Sequence, residues 1–266
     1  MSFVHEKKRF ILLILVGLAF LLLMPSVKAE VILSALKTSD AVFDEMKEFE
    51  ENHLQFGAVV YKPTLQEQIE ALQDEEAHMA VLSAYCGKYC VDNVSNTTMM
   101  IIPNIQASFH FLMRIEDASL ITAINRLISI YLADGMAEDT FRQALQYTQN
   151  GIFSETFNQN DTENFPALKI GITGQMPPYD YIDLNGDFAG FCINYIRTLA
   201  HDMEYNATFT QLSPAVLYEE LISGTVDLVF WCYTPLRYPD NILVSDMFFK
   251  DDCCLVLFID EEDDDW

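Results

Sequence analysis

Apolar positions along this 266-residue chain fall into two rhythms: short continuous runs, and stretches in which they return every three or four residues. The run "VILSAL" (31–36) predicts a strand. The stretch from Asp40 to Asn52 predicts an amphipathic helix, with Thr38 or Ser39 placed to cap it. "GAVVYK" (57–62) predicts a second strand, and Leu65, Ile69 and Leu72 share one face of a helix starting near Thr64. Further strands are expected at "HMAVLSAY" (78–85), at "MMIIP" and at "SFHFLMRI" (108–115). Leu120, Ile124, Leu127, Ile128 and Tyr131 then stripe a long helix that Gly135 ends, and another helix covers about Ala137 to Thr148.

The polar stretch "SETFNQNDTENFP" (154–166) has turn residues and no period, so it reads as a linker. Beyond it the alternation resumes. Strand 167–173 leads to a helix from Phe191 to about Met203, strand 207–212, a helix from Pro214 to Ser223 and strand 226–231. The turn "YTPLRYPDN" precedes a last apolar strand at 253–259. Strands alternating with helices predict α/β architecture, with ligands at the carboxyl ends of parallel strands. The organisation is therefore residues 1–29, an α/β block at 30–153, the linker at 154–166, an α/β block at 167–259 and an acidic tail at 260–266.

One stretch departs from the alternation. "GITGQMPPYDYIDLNGDFAGF" (171–191) starts as a buried strand, breaks on Pro177-Pro178, and turns at Asn185-Gly186 before Gly190-Phe191. A proline-stiffened aromatic loop at a strand's carboxyl end suits the lip of a ligand cleft, and Asn-Gly suits a hairpin tip. Gly190 lets the next helix begin close to the sheet.

Charge and cysteine content narrow the picture. Residues 1–29 carry Lys7, Lys8, Arg9 and an apolar run from Phe10 to Met24, then Val27-Lys28-Ala29. That is the pattern of an export signal with the mature chain starting at Glu30; an uncleaved anchor formed by residues 10–24 is the alternative. Those 29 residues hold four bases and one acid, so the net charge of −25 becomes −28 without them. Such a surface repels phosphate backbones and excludes nucleic acid as a partner. Six cysteines are compatible with an oxidising compartment. Cys86 and Cys90 are the disulfide candidates, free thiols being the alternative, and no histidines stand at metal-ligand spacing around them. No metal or cofactor is expected. Neither a G-x-S-x-G nor an H-E-x-x-H motif occurs, so the chain is not read as an enzyme.

The second block resembles the first lobe of family 3 extracellular solute-binding proteins, the receptors for polar amino acids in bacterial ABC uptake systems. The same fold serves as the sensor domain of membrane signalling proteins. Its landmarks stand in order over residues 168–249: Pro177-Pro178-Tyr179, Asn185-Gly186, Gly190-Phe191, Leu221, Gly224 and Asp227, Thr234-Pro235 with Arg237, and Ser245-Asp246. The first block resembles the second lobe through "TLQEQIEALQDEEAHMAVL" and through "SFHFLMRIEDASLITAINRLISIYLADG", which carries an Ile-Asn pair. The resemblance implies a two-lobe fold of the periplasmic-binding-protein type II kind with its lobes in permuted order, or a piece of a tandem sensor array.

It also implies a site. Arg237 would grip a ligand carboxylate with its planar fork, and Tyr179, Tyr181, Trp231, Cys232, Tyr233, Thr234, Thr38 and Ser83 would line the cleft. The pattern breaks where the family places acids for an ammonium group: this chain has Thr173 and Ser83 there. An aromatic clamp position falls at Pro214. The expected function is extracytoplasmic binding of a small carboxylated, amino-acid-like solute, with an ABC permease or a membrane sensor as partner. The alternative is a degenerate, non-binding sensor or protein-interaction module.

Overall fold

A computed structural model describes residues 31–36, 56–62, 64–150, 164–214, 216–232 and 240–259. β1 (Val31–Leu36), β2 (Phe56–Lys62) and β3 (Met79–Ser83) pair in parallel in the order β2-β1-β3. Between β2 and β3 lies α1 (Leu65–Gln73), whose first turn is capped by Thr64: its hydroxyl accepts the Glu67 N–H at 3.0 Å. The expected helix at 40–52 and Thr38 lie outside the described residues.

The strand expected through Tyr85 stops at Ser83, and α2 (Ala84–Asn93) begins there instead. Cys86, Gly87 and Cys90 form its buried face. Gly87 is what lets α2 lie on the sheet, because a Cβ at that position would sit 2.3 Å from the Cys254 sulfur.

The two strands expected at "MMIIP" and 108–115 are one: β4 (Thr97–Arg114). The break read at Pro103 is local. Pairing with the last strand of the chain (Phe249–Phe258) shifts register there, Ile101 facing Cys254 and Gln106 facing Asp252, and Asn104 takes a positive φ of 65°. Proline cannot donate to a ladder, so the chain bulges and pairing resumes. A single 3₁₀ turn (Ile115–Asp117) leads into α3 (Ala118–Asp134), and α4 (Met136–Asn150) follows.

The second block gives β5 (Ala167–Ile172), then a small antiparallel sheet of β6 (Gln175–Met176), β7 (Asp180–Ile182) and β8 (Phe188–Ala189). After α5 (Phe191–Asp202) come β9 (Asn206–Gln211), α6 (Leu217–Ser223) and β10 (Leu228–Cys232). A short strand not expected from the sequence, β11 (Ile242–Val244), precedes β12 (Phe249–Phe258), which starts four residues earlier than the apolar run suggested.

The two sets of parallel strands share one mixed sheet, ordered β2-β1-β3-β12-β4-β10-β5-β9. β4 and β12 are antiparallel partners and run through both sets: β12 pairs with β3, and β4 pairs with β10 and β11. Each block by sequence therefore donates one strand to the other's half of the sheet. Register shows what this achieves. β3 ends at Ser83, level with Cys253 of β12, while β10 ends at Cys232, level with Phe109 of β4 and hence with Phe249 of β12. The two sets run in opposite directions, so their carboxyl ends face each other across residues 250–252.

The core spans both halves. Phe111 stacks on Phe248 at 4.4 Å, Tyr195 on Phe248 at 4.8 Å, and Phe109 meets Tyr179 at 4.6 Å. A smaller cluster of Leu112, Leu217, Leu221, Val226, Val229 and Ile242 packs under α6.

Candidate functional site

Asp251 lies where the two sets of strand ends converge. It is 7% exposed, and its Oδ2 accepts the Tyr85 N–H at 3.0 Å and the Tyr179 hydroxyl at 2.5 Å. Tyr85 belongs to the first turn of α2, just past β3; Tyr179 belongs to the Pro-Pro loop after β5. A single carboxylate on a crossing strand thus ties the two half-sheets. A second tie runs beside it, the Cys86 thiol donating to the Pro177 carbonyl at 3.2 Å. Burial raises the Asp251 pKa above the ordinary carboxylate value, against the hydrogen bonds from Tyr179 and Tyr85. The same burial raises the Tyr179 hydroxyl well above its usual value.

The loop that carries Tyr179 is held at both ends. Phe191 N–H donates to the Pro178 carbonyl at 3.0 Å and Cys192 N–H to the Tyr179 carbonyl at 2.8 Å. Gly190 makes this possible: its φ is 113°, and a Cβ there would lie 2.4 Å from the Tyr179 oxygen. At the end of β5, Asp180 Oδ2 accepts three bonds, from Thr173 N–H (3.0 Å), Thr173 Oγ1 (2.9 Å) and Gly174 N–H (2.9 Å). Asp180 is fully buried and organises the turn at the end of β5. Burial raises its pKa.

Tyr179 does not face an open cleft: it is fully buried among Phe109, Phe141 and Phe249. Tyr181 is half-buried in β7, and burial pushes its hydroxyl up to about 12. Ser83 is buried at the start of α2, beside Cys86 and Tyr179. Trp231 and Cys232 end β10, with side chains outside the description; Tyr233, Thr234, Arg237 and Thr38 lie outside the described residues altogether. Ser83 and Tyr179, one from each block, are the two that the fold brings together.

Cys86 and Cys90 are not bridged. Cys86 turns toward Pro177, and both thiols are buried; burial pushes Cys90 up to about 12. Among the described residues no group of three His, Cys, Asp or Glu side chains could hold a metal ion.

The remaining landmarks pin the halves. Arg114 donates to the carbonyls of Leu221 (3.1 Å) and Val226 (2.7 Å) and pairs with Asp227 and Asp117. Asp227 also accepts the Lys169 N–H at 3.0 Å. Asn125, of the Ile-Asn pair in the first block, accepts the Asp246 N–H at 2.8 Å, while Ser245 Oγ accepts the Phe111 N–H at 2.9 Å.

Residues 168–237 match the sequence profile of the bacterial extracellular solute-binding proteins, family 3. That segment holds β5, the Pro-Pro loop, α5, β9, α6 and β10. No curated protein matches the chain. Among solved structures, the chain is similar to an amino acid ABC transporter substrate-binding protein, AbpA from Streptococcus pneumoniae, bound to L-arginine. Identity is 12%, the overlap covers 88% of this chain and 84% of that one, and the TM-score is 0.45. The ligand-binding component of an ABC-type import system from Staphylococcus aureus, with zinc bound, is 10% identical, with coverage of 86% and 65% and a TM-score of 0.47. The OxyR2 regulatory domain from Vibrio vulnificus is 11% identical, with coverage of 88% and 89% and a TM-score of 0.45. All three scores fall below 0.5.

Proposed function

We propose that the chain is an exported solute-binding protein whose two halves close on a small carboxylated, amino-acid-like ligand, in uptake with an ABC permease or in sensing with a membrane partner. It is not an enzyme on this reading, and residues 1–29 export it. One observation carries the proposal: the carboxyl ends of two parallel strand sets face each other across the crossing strands β4 and β12, with the matched segment forming one side. Loops at such ends are where α/β proteins hold ligands. Arg237, at the end of the matched segment, is the proposed carboxylate clamp.

The test is calorimetric titration of the full chain with a panel of amino acids and small dicarboxylates. Hydrogen bonds to a charged partner contribute roughly 1.5–3 kcal/mol each, so Arg237→Ala should weaken binding by about tenfold or more. Arg237→Lys should weaken it too, because an ammonium lacks the fork. Equal binding by wild type and Arg237→Ala removes the clamp. A second reading, a non-binding sensor or protein-interaction module, is favoured by the aromatic filling around Tyr179. Absence of binding across the whole panel would put it first.

A further inference from the structure

β4 has neighbours on both sides along only part of its length. β12 lies along one edge from Thr97 to Phe109. On the other edge β10 takes Phe109–Leu112 and β11 takes Leu112–Arg114. Among the described residues no strand pairs with that second edge from Thr97 to Ser108. The peptide groups there that point away from β12 have no ladder to join, and sheets grow by adding a strand at such an edge.

Proteins blunt free edges with charge, proline or a bulge. Pro103 and the bulge beside it do this beyond Ile102. Thr97–Ile102 has none of these. Its sequence, "TTMMII", is rich in strand formers, and Met100 is 54% and Ile101 43% exposed. From Thr97 to Met113 the chain has no Asp, Glu, Lys or Arg, although it holds 40 acids and 15 bases in all. The outer edges of the sheet differ. β2 carries Lys62, paired with Glu76, and β9 exposes the polar Thr208, Thr210 and Gln211.

Charge decides the occupant. At a net charge of −25 two copies of the chain repel each other, and their approach is least opposed where neither brings a charge. An identical edge is also complementary: antiparallel pairing about a two-fold axis sets this uncharged run against itself. We propose that two copies of the chain pair antiparallel through Thr97–Ile102, with their Met100 side chains at the centre, joining the two sheets into one. The two-fold contact uses this edge up, so association through it stops at the dimer. The contact forms whether or not a solute is bound.

The experiment is sedimentation equilibrium of the full chain, with hydrogen–deuterium exchange at low and high concentration. A six-residue ladder is short, so the dimer should be half-formed at roughly 10–100 μM chain. Residues 97–102 should gain protection in the concentrated sample, and β9 should not. Met100→Glu sets two like charges opposite each other and should weaken association at least tenfold. Thr210→Glu adds the same charge on an outer edge and should weaken it far less. Both positions are exposed, so melting temperatures should stay close to wild type. Added salt should strengthen association, because it screens the repulsion between two acidic copies. A chain that stays monomeric up to about 1 mM overturns the proposal. So does a dimer whose protection falls elsewhere, such as on α3, or one that the two glutamate substitutions weaken equally. A dimer that salt weakens would be held by ion pairs, and overturns it too.

Discussion

At residue scale the molecule turns on Asp251, a buried carboxylate held by the Tyr179 hydroxyl and by the peptide N–H groups of Tyr85 and Asp252. Tyr179→Phe removes the hydroxyl and leaves the carboxylate short of a donor, which should cost about 1–3 kcal/mol in denaturant unfolding. Burial raises the folded-state pKa of Asp251, so the folded chain holds that proton more tightly than the unfolded one. Its stabilising contribution is complete below the unfolded value of about 3.9 and is lost as pH rises through the folded value. Asp251→Asn should therefore gain thermal stability relative to wild type as pH rises from 3 to 7. The neighbouring Asp252 lies on the same strand and stays in place in both proteins, so the difference between the two melts isolates residue 251. A variant that melts at a constant offset across that range would show that Asp251 is not under strain from burial. Nothing in the sequence announced this residue. Asp251-Asp252 precede the apolar run that predicts a strand from Cys253, whereas the strand begins at Phe249 and takes both acids into its ladder.

At the scale of elements, the pattern of apolar positions located β1, α1, α3 and α5 closely, since each has a clear period and a recognisable start or stop. It failed where a local signal and the tertiary context disagree. Pro103 and Asn104 break the period of β4, yet the ladder to β12 bridges them as a bulge, so two expected strands became one. α2 was hidden because Gly87 weakens a helix in isolation; its absence of side chain is required by Cys254 and Val256 on another strand. Spacing alone left Cys86 and Cys90 open between a disulfide and free thiols; they are unbridged, with Cys86 turned toward Pro177. Alkylation of the denatured chain without reductant should label both cysteines; an unlabelled peptide two hydrogen atoms lighter than the dithiol would restore the bridge. Gly190 was legible as the residue that brings α5 close to the sheet, and the Tyr179 carbonyl is what it clears. Gly190→Ala should destabilise the fold by well over the roughly 1 kcal/mol of an ordinary glycine substitution, read as a lower melting temperature, since both the backbone and the Pro-Pro loop must move. An unchanged melt would mean the loop is not fixed there.

For the whole molecule, the α/β class and the alternation of each block were readable, but the joint was not. The polar stretch at 154–166 invited a simple boundary, whereas the strands show two crossings, β4 from the first block and β12 from the second. Long-range pairing of this kind has no signature in a local period. The candidate site was legible only through resemblance: Ser83 and Tyr179 meet, and Arg237, Tyr233 and Thr234 lie outside the described residues. The central claim is that two halves close together on a solute. Hydrogen–deuterium exchange of the full chain, with and without a saturating amino acid from the binding panel, tests it most directly. Closure predicts protection gained together at residues 81–87, 173–180 and 228–232, with the outer strands β2 and β9 unchanged. Protection confined to one of the two halves, or none at all, would contradict it.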